Sequence, residues 1–366
     1  MTAIPTSIPI RNPRLSYPFD RVPEPGETFE VAPGVFWLRM PLPLVLNHIN
    51  LWLLADDTPD GRGWTIVDTG FPSEETHALW ETVLAGRVPG RAIVTHFHPD
   101  HFGCALWLSE RYGADIWMSE AEYLIGHAVL NDVAGYDVAT LYELLRRHGL
   151  DEALIAELSA VSGLYRGWMK RLPTSYRRMI DGDVIRIGGR EWRAIEGHGH
   201  SPEHIALYCD ELKLLIGGDM MLPKITTNVS VRAVEPDGDP LRLFLDSLDR
   251  FATLPADTLV LPSHGDVFRG LHARIDELRA HHASRLAEIL DACHEPRSAR
   301  DVAPLLFRRP LEGRNWMFAM GESIAHLNLL MHEGRLVRSR DADGIYRFDA
   351  RVRAPVRIVV PSGVQP

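Results

Sequence analysis

Cysteine is scarce. The chain has three in 366 residues, Cys104, Cys209 and Cys293, widely separated, odd in number and without a C-x-x-C pair. This excludes a disulfide framework and a structural zinc knuckle, and reduced thiols fit a cytoplasmic protein. Long apolar runs are lacking as well: no stretch reaches the roughly 18 uninterrupted apolar residues that a membrane span needs, so no membrane partner is expected. Basic residues are the minority. With 39 Lys and Arg against 49 Asp and Glu, the formal net charge of -10 sets nucleic acid aside as the default partner, while leaving room for a local basic patch. There is no internal repeat or low-complexity tract, and 45% hydrophobic with 24% charged residues excludes a disordered chain. Residues 1–30, "MTAIPTSIPIRNPRLSYPFDRVPEPGETFE", hold six prolines and neither a basic n-region nor an apolar h-region, and so read as an extended arm rather than an export signal.

What the chain does have is alternation. "GVFWLRM", "INLWLLAD" and "GWTIVDTG" read as successive strands, and "SEETHALWETVLAG" as a helix opened by a Ser N-cap. A further strand, "RAIVT", follows. Residues from about 119 to 180 are helical in pattern with almost no strand signal, and read as a helical insertion. Strands resume in "DVIRIGGREWRAIEGHGH", "HIALYCDELKLLIGGD", which has a hairpin turn at its middle, and "DTLVLPSHGD". Beyond about residue 270 come a long amphipathic helix, further helices and "GRLVRSRDADGIYRF", a hairpin with a D-A-D-G turn. Helices followed by such a wing suggest a small winged-helix-like appendage over 271–350, with 351–366 a loose tail.

Several strand-like runs end in a potential metal ligand. "RAIVT" runs into His96, His98, Asp100 and His101, "WRAIEG" into His198 and His200, "LLIGG" into Asp219, "TLVLP" into His264 and "TIV" into Asp68. Loops at strand C-termini converge on one edge of an α/β sheet, which makes these scattered residues neighbours. Within H-x-H-x-D-H, His96 and His98 can reach one ion, and Asp100 and His101, displaced by the Pro99 turn, a second. Imidazole and carboxylate donors suit zinc, with iron or manganese as alternatives. Asp68 is expected to orient a ligand by accepting its second N–H, and His204 to be a structural hydrogen-bonder. His198 is open between a supporting role and a solvent-facing one.

These motifs, with "IVDTG", "GHSPEH", "GGD" and "PSHGD", resemble those of the metallo-β-lactamase-fold hydrolase superfamily over residues from about 30 to 270. The resemblance implies an α/β fold, an αββα sandwich carrying the helical insertion and the C-terminal appendage. It also implies two divalent metal ions: His96, His98 and His200 on the first, Asp100, His101 and His264 on the second, and Asp219 bridging them. His101 and the lack of a ligand cysteine set the chain apart from β-lactamases of the cysteine-ligand type. The bridging aspartate resembles the glyoxalase II, lactonase and nuclease branches, and the C-terminus resembles the group named for lactamase-β-like protein 2.

The expected reaction is hydrolysis of an acyl bond in a small-molecule substrate, a thioester first, by a hydroxide held between the ions, with Asp100 and Asp219 as the catalytic carboxylates. Lactone hydrolysis and single-strand RNA cleavage are the alternatives. The RNA alternative draws on Arg297, Arg300, Arg308, Arg309, Arg314, Arg335, Arg338 and Arg340, which could otherwise be a solvated or subunit-contact surface. A homodimer is left open. Lys224, five residues beyond Asp219, is a candidate for a substrate anion or else a solvated lysine. His127, Tyr165, Trp168, Lys170, Tyr176, Arg177 and Arg178 of the insertion are candidates for a lid over the substrate channel, Tyr165 and Tyr176 the foremost.

Overall fold

A computed structural model describes residues 11–43, 46–58, 61–160, 164–307 and 310–350. Arg308, Arg309 and the 351–366 tail lie outside them. The first half of the chain builds a seven-stranded sheet whose spatial order is its chain order. Strands β1 (Phe29–Ala32), β2 (Val35–Pro41), β3 (His48–Thr58) and β4 (Gly61–Val67) form an antiparallel meander. Helix α1 (Glu74–Val83) then crosses to β5 (Pro89–Ile93), parallel to β4. Its start follows from Ser73, whose side chain accepts the Thr76 N–H at 3.1 Å. A one-turn helix α2 (Pro99–Phe102) and α3 (Ala105–Tyr112) lead to β6 (Asp115–Met118).

The insertion supplies α4 (Glu120–Leu130), α5 (Val138–Arg147), α6 (Glu152–Ala160) and α7 (Leu164–Trp168). It is not helical to its expected end. Arg177–Arg178 form a short strand, β7, parallel to β6, and two residues are too few to leave a periodicity in the sequence. The second sheet has six strands in the order β13-β12-β11-β10-β9-β8. Its members are β8 (Val184–Ile187), β9 (Arg190–Gly197), β10 (His204–Cys209), β11 (Leu214–Gly218), β12 (Leu259–Pro262) and β13 (Phe268–Arg269), with α8 (Pro240–Ala252) crossing between β11 and β12.

The burial pattern explains why two sheets stack. Strand side chains alternate between faces, and on the central strands both faces are dry. On β2, Trp37 joins the core between the sheets while Leu38 and Met40 join the core under the helices of the first half. On β10, Ile205 and Leu207 point between the sheets, and Ala206 and Tyr208 toward the second-half helices. The result is helix, sheet, sheet, helix, the expected sandwich.

The arm is tied down where it is described: Leu15 is buried, and Ser16 bridges to Arg269 of β13. Beyond the sandwich, α9 (Leu271–Ala292), α10 (Ala299–Leu306) and α11 (Asn315–His332) precede a hairpin of β14 (Leu336–Arg340) and β15 (Tyr346–Ala350). Phe348 on the hairpin is fully buried, and the same core holds residues of α8 to α11. No helix among the described residues is long and apolar enough to cross a membrane.

Leu207, fully buried between the sheets, should report on this packing. Leu207→Ala is expected to lower the unfolding free energy by about 2–5 kcal/mol. Val184→Ala, at a position 58% exposed, should stay within about 0.5 kcal/mol. Denaturant midpoints at constant slope check both, and equal midpoints for the two variants would contradict the two-layer core.

Candidate metal centre

Five strand ends meet at one rim. β5 ends at Ile93 and delivers His96 and His98 on an extended loop; Pro99 at the first helical position then turns the chain so that α2 carries Asp100 and His101. This turn packs closely on the loop after β4. A Cβ on Gly103 would stand 2.3 Å from the Pro99 carbonyl oxygen and 2.4 Å from Pro72, so only glycine fits. β9 delivers His200, β11 Asp219 and β12 His264. Gly218 takes a left-handed φ of 53°, and its missing Cβ leaves room for His204, whose Nε2 accepts the Asp219 N–H at 3.2 Å.

The donor atoms fall into two groups. In the first, His200 Nε2 lies 3.2 Å from His96 Nε2 and 3.3 Å from Asp219 Oδ2, and His96 Nε2 lies 2.8 Å from His98 Nδ1. In the second, His264 Nε2 is 3.4 Å from both Asp100 Oδ2 and Asp219 Oδ1, and His101 Nε2 is 3.6 Å from the same two oxygens. The seven candidate ligands are therefore together, with the Asp219 carboxylate turned to both groups.

Does this arrangement fit metal ions? Four donors around an ion at about 2.0–2.1 Å stand roughly 3.3–3.4 Å apart at tetrahedral angles, close to most of the separations above. Two atoms make the case sharper. His101 Nε2 and Asp219 Oδ1 are buried without any hydrogen-bond partner, a costly state for polar atoms. A cation between them satisfies both.

The outward nitrogens are held. His200 Nδ1 donates to the Asn228 carbonyl at 2.8 Å and His264 Nδ1 to the His48 carbonyl at 2.9 Å. A carbonyl accepts only, so each bond places a proton on Nδ1 and leaves Nε2 facing the cluster. His96 Nδ1 lies 3.0 Å from the Thr95 hydroxyl. His101 Nδ1 donates to Asp68 Oδ2 at 2.8 Å, and the Asp68 carboxylate also accepts the Thr95 N–H at 2.8 Å and hydroxyl at 3.0 Å. Asp68 adopts a left-handed φ of 61°, a conformation that Asp tolerates better than most residues.

Without ions, the electrostatics are divided. Burial, reinforced by neighbouring imidazoles, holds His96 well below its ordinary value and His98 down to about 3. Burial acts on His101 too, but the carboxylates of Asp68, Asp100 and Asp219 outweigh it and push its pKa up to about 10. In the same way His101 and His264 overcome the burial of Asp100 and bring it to about 2.

The other candidates fall outside the cluster. Lys224 is exposed, its backbone carbonyl accepting from Arg274. The Tyr165 hydroxyl donates to the Phe97 carbonyl at 3.0 Å, and Tyr176 stacks on Tyr123 at 4.0 Å. His198 turns its Nδ1 to the Pro202 carbonyl at 2.6 Å. Sequence reasoning missed several supporting groups. Asn50 on β3 donates from its side-chain amide to the carbonyls of Pro262 and Gly265, at 2.9 and 2.8 Å, and so braces the His264 loop. His48 Nε2 accepts the Gly265 N–H at 3.0 Å. A signal existed only for Asn50: a polar residue in the apolar run "INLWLL".

Because His101 is protonated below its raised pKa, an ion must displace that proton. Metal uptake by the metal-free protein at pH 8 should release at least one proton, and apparent affinity should rise with pH up to about pH 10. Calorimetry in buffers of different ionisation enthalpy measures this; uptake without proton release at pH 8 would contradict the assigned charge state.

Comparison with known proteins agrees with this geometry. The chain matches the family described as "Metallo-beta-lactamase superfamily" over residues 45–264, and "Metallo-beta-lactamase-like, C-terminal domain" over 286–351. A solved β-lactamase domain protein from Burkholderia ambifaria is 46% identical and superposes with a TM-score of 0.86, over 92% of this chain and 98% of that one. A Bacillus subtilis protein, "Probable metallo-hydrolase YqjP", is 25% identical over 85% of this chain and 97% of its own. Hydroxyacylglutathione hydrolase GloC of Haemophilus influenzae is 23% identical, over 61% of this chain and 89% of its own length. Human acyl-coenzyme A thioesterase MBLAC2 is 26% identical, over 51% of this chain and 63% of its own length. Two stacked sheets, a histidine and aspartate cluster at their common rim, and a family match spanning most of the sandwich lead to one conclusion: the chain belongs to the metallo-beta-lactamase superfamily.

Proposed function

We propose that the protein is a metal-dependent hydrolase that cleaves a thioester of the acyl-CoA or acyl-glutathione type at a two-ion centre. The observation that carries this reading is the shared carboxylate: Asp219 faces His200 with Oδ2, and both His101 and His264 with Oδ1. On this reading His96, His98 and His200 would hold one divalent ion and Asp100, His101 and His264 the second, with Asp219 available to both. Zinc suits these donors, and similar sets take iron or manganese. Ions bound there would supply Lewis acidity and water acidic enough to attack an acyl carbon near neutral pH.

The chain's own groups do the rest. Asp100 has a side chain 19% exposed, against 11% for Asp219, and its Oδ2 is turned to His101 and His264. On this reading the Asp100 carboxylate would orient the attacking water by accepting a hydrogen bond from it. Asp68 keeps the His101 ring in register, and the carbonyls of Asn228 and His48 do the same for His200 and His264. Support for a thioester comes from the names of two relatives, a hydroxyacylglutathione hydrolase and an acyl-coenzyme A thioesterase, both of which denote thioester substrates.

A nucleic-acid role has less to stand on. Arg297, Arg335 and Arg338 are ion-paired with Glu295, Glu333 and Asp237 at 3.3, 3.3 and 2.6 Å, and Arg300 lies over the Trp316 ring. The charge that a phosphate backbone would need is thus offset by carboxylates of the protein at three of the eight arginines.

Zinc-loaded protein should be assayed against acyl-CoA, S-acylglutathione, homoserine lactone, β-lactam and single-stranded RNA. Thioester hydrolysis is expected to dominate, and Asp100→Ala and Asp219→Ala to lower kcat/KM by at least about 100-fold with an unchanged circular dichroism spectrum. Turnover confined to RNA, or full activity in either variant, would overturn the reading.

A further inference from the structure

Phe97 stands between the ligands His96 and His98, and both of its backbone polar groups are held by the helical insertion. Its N–H donates to Glu122 Oε2 on α4 at 3.0 Å, and its carbonyl accepts from the Tyr165 hydroxyl on α7 at 3.0 Å. The second oxygen of Glu122, Oε1, accepts the N–H of Glu203 at 2.8 Å, three residues beyond His200. Glu203 reciprocates: its Oε2 accepts the Ala121 N–H at 3.1 Å, and its carbonyl accepts from the Ser119 hydroxyl at 2.8 Å. One fully buried carboxylate thus joins the loop carrying His96 and His98 to the loop carrying His200.

These three histidines are the imidazoles of the first donor group. The second is held by other means. Asp68 takes His101 Nδ1, Thr69 takes the His101 carbonyl through its N–H at 2.8 Å and its hydroxyl at 2.7 Å, and His48 takes His264 Nδ1. The choice of glutamate at position 122 is chemically specific. Two amide donors converge on it, so both of its oxygens must accept; a glutamine would set its NH2 against one of the N–H groups, leaving a buried donor facing a donor.

We propose that Glu122 and Tyr165 are positioning residues that set the separation between the two ligand loops, so that the helical insertion builds one of the two ion sites. Tyr165 is on this account a support of the ligand loop, not a wall of the substrate channel. The inference rests on the two-ion reading above, and makes one site selectively sensitive to the insertion.

The test titrates metal-free wild type, Glu122→Gln, Tyr165→Phe and Arg166→Ala with Co2+, following stoichiometry, both dissociation constants and the visible spectrum of the bound ion. Arg166 is exposed on α7 next to Tyr165 and serves as the control. Amide hydrogen exchange at Phe97 and Glu203 and thermal melting are recorded on the same metal-free proteins. Wild type and Arg166→Ala should bind two ions alike. Glu122→Gln and Tyr165→Phe should weaken one ion by about 10–100-fold, leave the other within about twofold, and alter the spectrum of the weakened site. The amide of Phe97 should exchange faster in both variants and that of Glu203 in Glu122→Gln. Should Glu122→Gln not fold, Tyr165→Phe, which removes a single hydroxyl, decides alone. Unchanged affinities in the folded variants, or equal weakening of both ions, would overturn the proposal. Failure of the wild type to bind Co2+ would instead remove the two-ion reading, and this inference with it.

Discussion

Five imidazoles and two carboxylates converge in a largely buried space, and that crowding constrains everything around it. Donor atoms face donor atoms: His96, His98 and His200 bring ring nitrogens within hydrogen-bond range of one another. His101 Nε2 and Asp219 Oδ1, buried and 3.6 Å apart, make no hydrogen bond. A cluster of this kind is favourable only when a compact positive charge stands at its centre, since attraction to an ion in a low-dielectric setting offsets the desolvation of every donor.

The two-layer sandwich answers the need to bring those donors from distant parts of the chain. Strands buried on both faces cannot slip register without moving apolar side chains into the wrong layer, so the positions of their ends are well determined. β10 shows this directly, with every residue from His204 to Cys209 buried. Ligands placed just past such ends inherit that precision. Loops alone would not hold seven side chains to within a few tenths of an ångström, which is why each ligand loop is also braced by hydrogen bonds from a neighbouring element.

Local chemistry was legible where it is local. The Ser73 cap, the β10–β11 hairpin, the Pro99 turn and the H-x-H-x-D-H spacing all arise from residues adjacent in sequence, and each is where the pattern placed it. Asp68 was legible because ligating imidazoles need an acceptor and the residue stood at a strand end. Two-residue strands such as β7 and β13 left no period to read. Glu122, His48 and Asn228 were invisible for a different reason. Each acts on or through a backbone group of a remote loop, and a backbone N–H or C=O has no letter in the sequence. The Tyr165 hydrogen bond to the Phe97 carbonyl was hidden for the same reason, since a half-buried tyrosine near a site reads equally as substrate wall or as a hydrogen-bond donor to the chain.

The C-terminal helices are tied to the same constraint. Asn228, whose carbonyl orients His200, is itself held from two sides: its Oδ1 accepts from the Ser230 hydroxyl at 2.8 Å and its Nδ2 donates to Glu322 on α11 at 3.3 Å. One residue along α11, the Gly321 carbonyl accepts the Val231 N–H at 3.2 Å, and a Cβ on Gly321 would stand 2.5 Å from the Ser230 hydroxyl. Burial pushes Glu322 up to about 7, although Asn228 opposes the shift. Either protonation state accepts a hydrogen bond from an amide N–H, so the link to Asn228 survives titration while the cost of a buried charge is relieved. The appended helices are therefore no detached module: they close the last side of the loop that fixes His200, as α4 and α7 close the side that fixes His96 and His98.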